Sequence, residues 1–106
     1  MNNRINQEEF KSYPKFENRE EAEKWLKEKY GEDFIFSEER EFQKKPLYCY
    51  IYILNIEVFD RMQEYIRRTG SRTILTWEPE TKGFADSYQE ILIWGDGKVQ
   101  VQSLAM

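Results

Sequence analysis

The chain has 106 residues, with 20 Asp and Glu against 16 Lys and Arg, and therefore a formal net charge of −4 and a pI near 5.0. A chain of this length is expected to form a single domain, residues 1–106, with a core of its own. The acidic balance argues against binding to nucleic acid through its phosphate backbone, because that mode needs a basic surface. No apolar run approaches about 18 residues, so no membrane partner is expected either.

The cysteine and histidine content limits the possible chemistry. Cys49 is the one cysteine, which excludes an internal disulfide, and the absence of histidine removes the commonest general base and zinc ligand. No phosphate-binding loop, zinc-protease motif or nucleophile elbow is present. The sequence therefore predicts no catalytic residue, no metal and no cofactor, and nothing in it favours an enzyme. Without an apolar secretory signal, a reducing cytoplasm is the expected compartment.

Residues 1–17 precede the first strong helix signal. Within them, NQEEFKSY predicts a short helix capped by Asn6, and the remainder is expected to be loosely ordered. Asn18 is a favourable cap for a longer helix over Arg19–Tyr30, because apolar side chains then recur at helical spacing. That apolar stripe consists of Ala22, Trp25, Leu26 and Tyr30.

Two strands are predicted next, joined by a turn at Gln43–Pro46. The first, Phe34–Phe42, has a polar middle that is typical of an edge strand or a bend. The second, Leu47–Leu54, reads LYCYIYIL and alternates strictly. Their closeness in sequence predicts an antiparallel hairpin.

The second half of the chain continues with one helix and three strands. The predicted elements are a helix over Ile56–Thr69 capped by Asn55, a strand over Arg72–Glu78, a loop over Glu78–Gly83, and strands over Tyr88–Trp94 and Lys98–Leu104. Because hairpins dominate, the expected fold is α+β with a mainly antiparallel sheet of about five strands, in the order α-β-β-α-β-β-β. Two helices, each with one apolar stripe, are expected to cover a single face of this sheet.

The last hairpin allows two registers. A two-residue turn at Asp96-Gly97 pairs Gly95 with Lys98, which is the pairing that turn chemistry favours. A three-residue loop instead pairs Trp94 with Lys98. The longer loop separates apolar from polar side chains more cleanly, and we therefore favour it, since a one-residue slip exchanges the two faces. It places Ile91, Ile93, Val99 and Val101 on one face and Leu92, Trp94, Gln100 and Gln102 on the other.

The alternation of LYCYIYIL raises the question of which strand face is open. Tyr48, Tyr50 and Tyr52 lie on one side, and Cys49, Ile51 and Ile53 lie on the other. Buried hydroxyl groups cost free energy unless they are hydrogen-bonded. We therefore expect the aliphatic side to face the helices and the tyrosine side to lie nearer water, so that Ile51 is more deeply buried than Tyr50.

The predicted open face is the candidate functional site. In one interpretation, the N-terminal segment with Phe10, Tyr13 and Phe16 simply covers it. In the other, an aromatic platform binds a partner, because Tyr and Trp are enriched at interface hot spots. The candidate binding residues are Tyr48, Tyr50, Tyr52 and Trp94.

The expected function is a small cytoplasmic protein-binding or accessory module with an acidic rim. Its partner would be a more basic protein or a second copy of the chain. The alternative is a small-ligand-binding domain that stacks a planar molecule on the same aromatic face.

Overall fold

The computed structural model describes residues 2–70 and 81–105. Within these ranges no helix is long and apolar enough to cross a membrane. The helices are α1 (Gln7–Lys11), α2 (Arg19–Tyr30) and α3 (Ile56–Thr69), with short 3₁₀ turns at Gly31–Asp33 and Phe84–Asp86. The strands are β1 (Phe34–Phe42), β2 (Lys45–Ile53), β3 (Tyr88–Trp94) and β4 (Val99–Val101).

The four strands form one sheet in the order β1-β2-β3-β4, and every neighbouring pair is antiparallel. The predicted α+β class with a mainly antiparallel sheet is therefore confirmed. The strand expected over Arg72–Glu78, and the first part of the loop expected over Glu78–Gly83, lie outside the described residues. The predicted strand over Lys98–Leu104 is shorter in the structure, where β4 covers Val99–Val101.

The three helices begin where the sequence predicts. Asn6, Asn18 and Asn55 each have extended backbone, and each side-chain oxygen accepts a hydrogen bond from the backbone N–H three residues further on. These bonds satisfy amides that have no partner within the helix. α3 ends at Gly70, whose left-handed backbone favours glycine.

α2 and α3 lie on opposite faces of the sheet, so the prediction that both cover one face is wrong. Leu26 of α2 packs in a cluster with Tyr50 and Tyr52. Phe59 of α3 packs in a separate cluster with Ile53, whose side chain points to the other side of β2. The sheet is thus the middle layer between two helices, and both sides of β2 contribute to a core.

The last hairpin adopts the longer loop. Trp94 N–H donates to the Lys98 carbonyl at 2.9 Å, and Ile93 pairs with Val99. The favoured register, with a three-residue Gly95-Asp96-Gly97 loop, is therefore confirmed. Gly97 has φ +93°, and a Cβ there would lie 2.6 Å from the Phe16 carbonyl oxygen. Glycine is required at this point because the turn is pressed against the N-terminal segment.

The N-terminal segment is fixed across the sheet by a buried glutamine. Gln89, which is 1% exposed, accepts a hydrogen bond from the Ile5 amide at 2.7 Å and donates one to the Ile5 carbonyl at 3.2 Å. Its amide group thereby pairs with the backbone of Ile5 much as a neighbouring strand would. Ile5 is fully buried, and Asn6 forms a parallel bridge with Ala105. The short helix α1 follows this anchor.

Candidate functional site

The tyrosine face is covered, which corrects the expectation that it lies nearer water. Tyr50 is 1% exposed and Tyr52 is 7% exposed, whereas Ile51 on the opposite side is only half-buried. The cover consists of α2 and the N-terminal segment, whose packing residues include Phe10, Tyr13 and Phe16. The structure therefore agrees with the interpretation in which the N-terminal segment covers this face.

Burial of Tyr50 is possible because charged groups on α2 satisfy its hydroxyl. The hydroxyl donates to Glu23 Oε2 and accepts a hydrogen bond from the Arg19 guanidinium at 3.0 Å. Arg19 also pairs with Glu23 at 2.8 Å. Burial and then the bond to the Glu23 carboxylate raise the pKa of Tyr50 above its ordinary value. The ring of Tyr50 also stacks on Phe34, with centroids 4.8 Å apart and planes 8° apart.

A second tyrosine network joins the N-terminal segment to α2. Tyr30 donates its hydroxyl hydrogen to Glu9 of α1, and its oxygen therefore accepts the hydrogen of Tyr13. The Tyr30 ring packs against Tyr52, with centroids 4.4 Å apart. Burial raises the pKa of Tyr13 to about 12 and moves the pKa of Tyr30 still further upward. These hydroxyls act as structural bridges between elements.

Tyr48 is half-buried at the margin of the same face. The Arg19 guanidinium lies over its ring, 4.1 Å from the centroid, which is a favourable cation–π distance. Tyr48 is thus the one tyrosine of the three in β2 that keeps substantial contact with solvent.

Trp94 lies on the opposite face from the three tyrosines of β2. The β2–β3 register pairs Tyr48 with Ile93 and Leu47 with Trp94, so Trp94 shares the face of Leu47. The four candidate residues therefore do not form one platform. Sequence reasoning could not place Trp94, because the pairing joins strands that are distant in the chain.

Trp94 instead borders a cleft at the end of the sheet. The cleft has a volume of about 460 Å³ and lies between the turn that joins β1 to β2 and the Gly95-Asp96-Gly97 loop. Phe42 of β1 meets Trp94 edge to face, with ring centroids 5.8 Å apart. The lining residues are Phe42, Gln43, Lys45, Pro46, Trp94, Gly95, Asp96 and Lys98.

β1 carries the most exposed aromatic side chains of the described residues. Phe36 is 55% exposed and Phe42 is 53% exposed. Sequence reasoning noted the polar middle of this strand and its edge character, but it did not select these phenylalanines. The available signal was an aromatic residue on each side of the run SEERE in a predicted edge strand.

Exposed carboxylates lie along β1. Glu39 and Glu41 are exposed and point to the tyrosine face, opposite Tyr48 and Pro46 of β2. On the other face, Arg40 contacts Glu38 at 2.6 Å and Glu90 of β3 at 3.9 Å. β1 therefore presents exposed carboxylates on one face and a charge network on the other.

Among the described residues, no group of three His, Cys, Asp or Glu side chains could hold a metal ion. Cys49 is buried at 1% exposure, and that burial raises the pKa of its thiol. A thiol in this state is a poor nucleophile. Cys49 serves the core together with Leu47 and Leu92.

Comparison with protein-family models, with curated proteins and with solved structures found no match to this chain.

Proposed function

We propose that this protein is a protein-binding module that receives an extended segment of a partner along the outer edge of β1. The observation that carries the proposal is the position of β1. It is a nine-residue strand at the end of the sheet, and among the described residues no strand lies beyond it. The edge of such a strand presents backbone donors and acceptors to an added strand, which is a recurrent mode of peptide recognition.

The strand is divided by an irregularity at Ser37, where the register with β2 shifts. Beyond it, Glu38–Phe42 pairs regularly with β2, and that run is long enough for an added strand to align with. Phe36 precedes the irregularity and lies on the tyrosine face, and Phe42 ends the run on the opposite face, each more than half exposed. Exposed aromatic side chains at both ends would anchor an incoming segment, since aromatics contribute strongly to interface energy.

The charge of the edge supports a basic partner. The run Glu38–Phe42 contains three glutamates and one arginine, and Glu39 and Glu41 point to the same face. Lysine or arginine side chains at alternate positions of an added strand would lie beside these carboxylates. A second copy of the chain would bring like charges to this edge, so a different, more basic protein fits better than self-association here.

The covered tyrosine face changes the two earlier hypotheses about the site. A dimer or a stacked ligand on Tyr50 and Tyr52 would require removal of α2 and the N-terminal segment. The net charge of −4 also supports a function without nucleic acid. A cytoplasmic location remains part of the proposal, because the one cysteine, Cys49, is a free thiol.

The proposal is tested by titrating ¹⁵N-labelled protein with designed peptides. An eight-residue peptide that alternates valine with lysine is expected to shift the amide resonances of Glu39–Glu41 first. A peptide that alternates valine with glutamate is expected to bind with an affinity lower by about tenfold or more, because its carboxylates would be repelled by those of Glu39 and Glu41. A backbone N-methylated copy of the lysine peptide keeps its charge but has no amide donors, and it should not bind.

A matched pair of variants separates local from general charge effects. Glu39→Lys with Glu41→Lys reverses two charges on β1, and Glu17→Lys with Asp60→Lys reverses two exposed charges elsewhere. Both pairs bring the net charge from −4 to zero. Only the β1 pair is expected to abolish binding of the lysine peptide. Equal loss in both pairs, or equal binding of the N-methylated peptide, would refute strand addition.

A further inference from the structure

We propose that the cleft between Phe42 and Trp94 binds a small planar aromatic anion that carries a carboxylate or a phosphate group. This site goes beyond the proposed function, because the cleft lies at the turn end of the sheet and shares only Phe42 with β1. It is formed where the β1–β2 turn and the Gly95-Asp96-Gly97 loop meet.

The shape of the cleft suits a ring system. Phe42 and Trp94 are inclined at 64°, so they form two walls of different orientation. A planar molecule that stacks on one ring would present its edge to the other. Stacked and edge-to-face contacts are the two favourable geometries for aromatic pairs. The volume of about 460 Å³ falls in the range of roughly 300–1,000 Å³ that small-molecule sites occupy.

The charge of the cleft is opposite in sign to that of the chain. Lys45 and Lys98 line it and are exposed, and Asp96 is the one acidic side chain among the described residues of the lining. Asp96 Oδ1 already accepts a hydrogen bond from the Lys98 amide at 3.0 Å. Two lysines and one carboxylate that already accepts a hydrogen bond therefore line this cleft, in a protein whose net charge is −4. An anion is the ligand that this arrangement favours.

The walls of the cleft are held by the two turns before any ligand binds. Gln43 and Lys44 both have positive φ, +52° and +66°, as a tight two-residue hairpin turn requires. On the other side, Gly97 is pressed against the Phe16 backbone. Because the chain is already fixed there, a ligand would lose little of its binding free energy to ordering the site.

The lining also decides between ligand classes. A neutral aromatic would use the two rings but leave Lys45 and Lys98 without a new partner. A small inorganic anion would use the lysines but not the rings. Only a molecule with both features uses both sets of contacts, which is the reason for proposing an aromatic anion.

Three probes with the same ring test this inference: 1-naphthoate, 1-naphthyl phosphate and 1-naphthamide. In titrations of ¹⁵N-labelled protein, one or both anions are expected to shift the Trp94 indole resonance and the amides of residues 94–98. The neutral amide is expected to bind about tenfold more weakly than the better anion. A preference between the two anions would identify carboxylate or phosphate as the natural group.

Variants locate the site and control for folding. Trp94→Ala should abolish binding, and Lys45→Gln with Lys98→Gln should weaken it about tenfold or more. Lys24→Gln with Lys82→Gln also removes two exposed lysines, away from the cleft, and as the matched control it should leave binding unchanged. The lysine variants are at exposed positions, so they keep the test valid if Trp94→Ala disturbs the fold.

Equal affinity for 1-naphthamide and the anions would overturn the inference, as would shifts that lie away from residues 42–46 and 94–98. Because this test reads other resonances than the peptide titration of β1, either proposal can fail without the other.

Discussion

Substitution of Tyr50 by alanine is expected to destabilise the protein more than substitution of Ile51. Tyr50 is 1% exposed and has the largest fully buried side chain among the residues that the structure describes. Removal of a buried aromatic side chain typically costs about 3–5 kcal/mol through lost transfer free energy and the cavity that remains. Ile51 is half-buried beside α3. Its replacement by alanine should therefore cost roughly 1–2 kcal/mol, which is less than the replacement of a fully buried isoleucine costs.

The hydroxyl contribution of Tyr50 can be isolated with phenylalanine. In Tyr50→Phe the ring stack on Phe34 remains, while the hydrogen bonds to Glu23 and Arg19 are lost. Arg19 and Glu23 still pair with each other at 2.8 Å, so neither charge is left alone. We therefore expect a cost of about 1 kcal/mol, below the range of about 1.5–3 kcal/mol for hydrogen bonds to charged groups, because the two charges keep each other as partners.

Urea unfolding at pH 7, followed by circular dichroism, measures all three variants. A difference of about 2 kcal/mol between Tyr50→Ala and Ile51→Ala corresponds to midpoints about 1–2 M apart for a domain of this size. We expect Tyr50→Ala to be the least stable of the three variants, Ile51→Ala to be intermediate and Tyr50→Phe to be the most stable. A lower midpoint for Ile51→Ala than for Tyr50→Ala would refute the assignment of the tyrosine face to the core.

Three further predictions concern the N-terminal segment and its networks. Gly97→Ala should lower the free energy of unfolding by about 2 kcal/mol or more, because of its positive φ and the contact with Phe16; a thermal melt unchanged from wild type would contradict this. Gln89→Ala should make the Ile5 amide exchange its hydrogen much faster than wild type, since that amide donates to Gln89; unchanged exchange would mean that Gln89 does not hold the segment. Stability should fall as pH rises above about 10, where unfolded tyrosine ionises while Tyr13 keeps its proton to about 12; urea midpoints that stay constant from pH 8 to 11 would contradict it.

The helices and most strands could be predicted because their signals are local. Asn18 and Asn55 act as caps, and the bounds of α2 and α3 agree with the predicted helices. The register of the last hairpin was also predictable, because one choice of loop separated apolar from polar residues along both strands. Each of these inferences uses only residues that are close together in the chain.

The candidate site could not be assembled in the same way. Whether Trp94 joins the tyrosines depends on how β2 pairs with β3, and a slip of one residue exchanges its face. The exposure of Phe36 and Phe42 depends on which other elements of the fold reach the two faces of β1. Neither property is encoded in a short stretch of sequence.

The choice of the buried face was wrong for a different reason, and α2 itself contained the missing signal. The prediction assumed that burying the tyrosine hydroxyls would cost free energy. That cost is offset when a charged hydrogen-bond partner lies opposite each hydroxyl. Arg19 and Glu23 occupy positions i and i+4 on the same face of α2 as the buried Ala22 and Leu26. Glu23 keeps its pair with Arg19 at 2.8 Å whichever face of β2 lies opposite. Only the tyrosine face also offers this pair a hydroxyl that can both donate and accept a hydrogen bond, and α2 therefore favours the tyrosine side of β2.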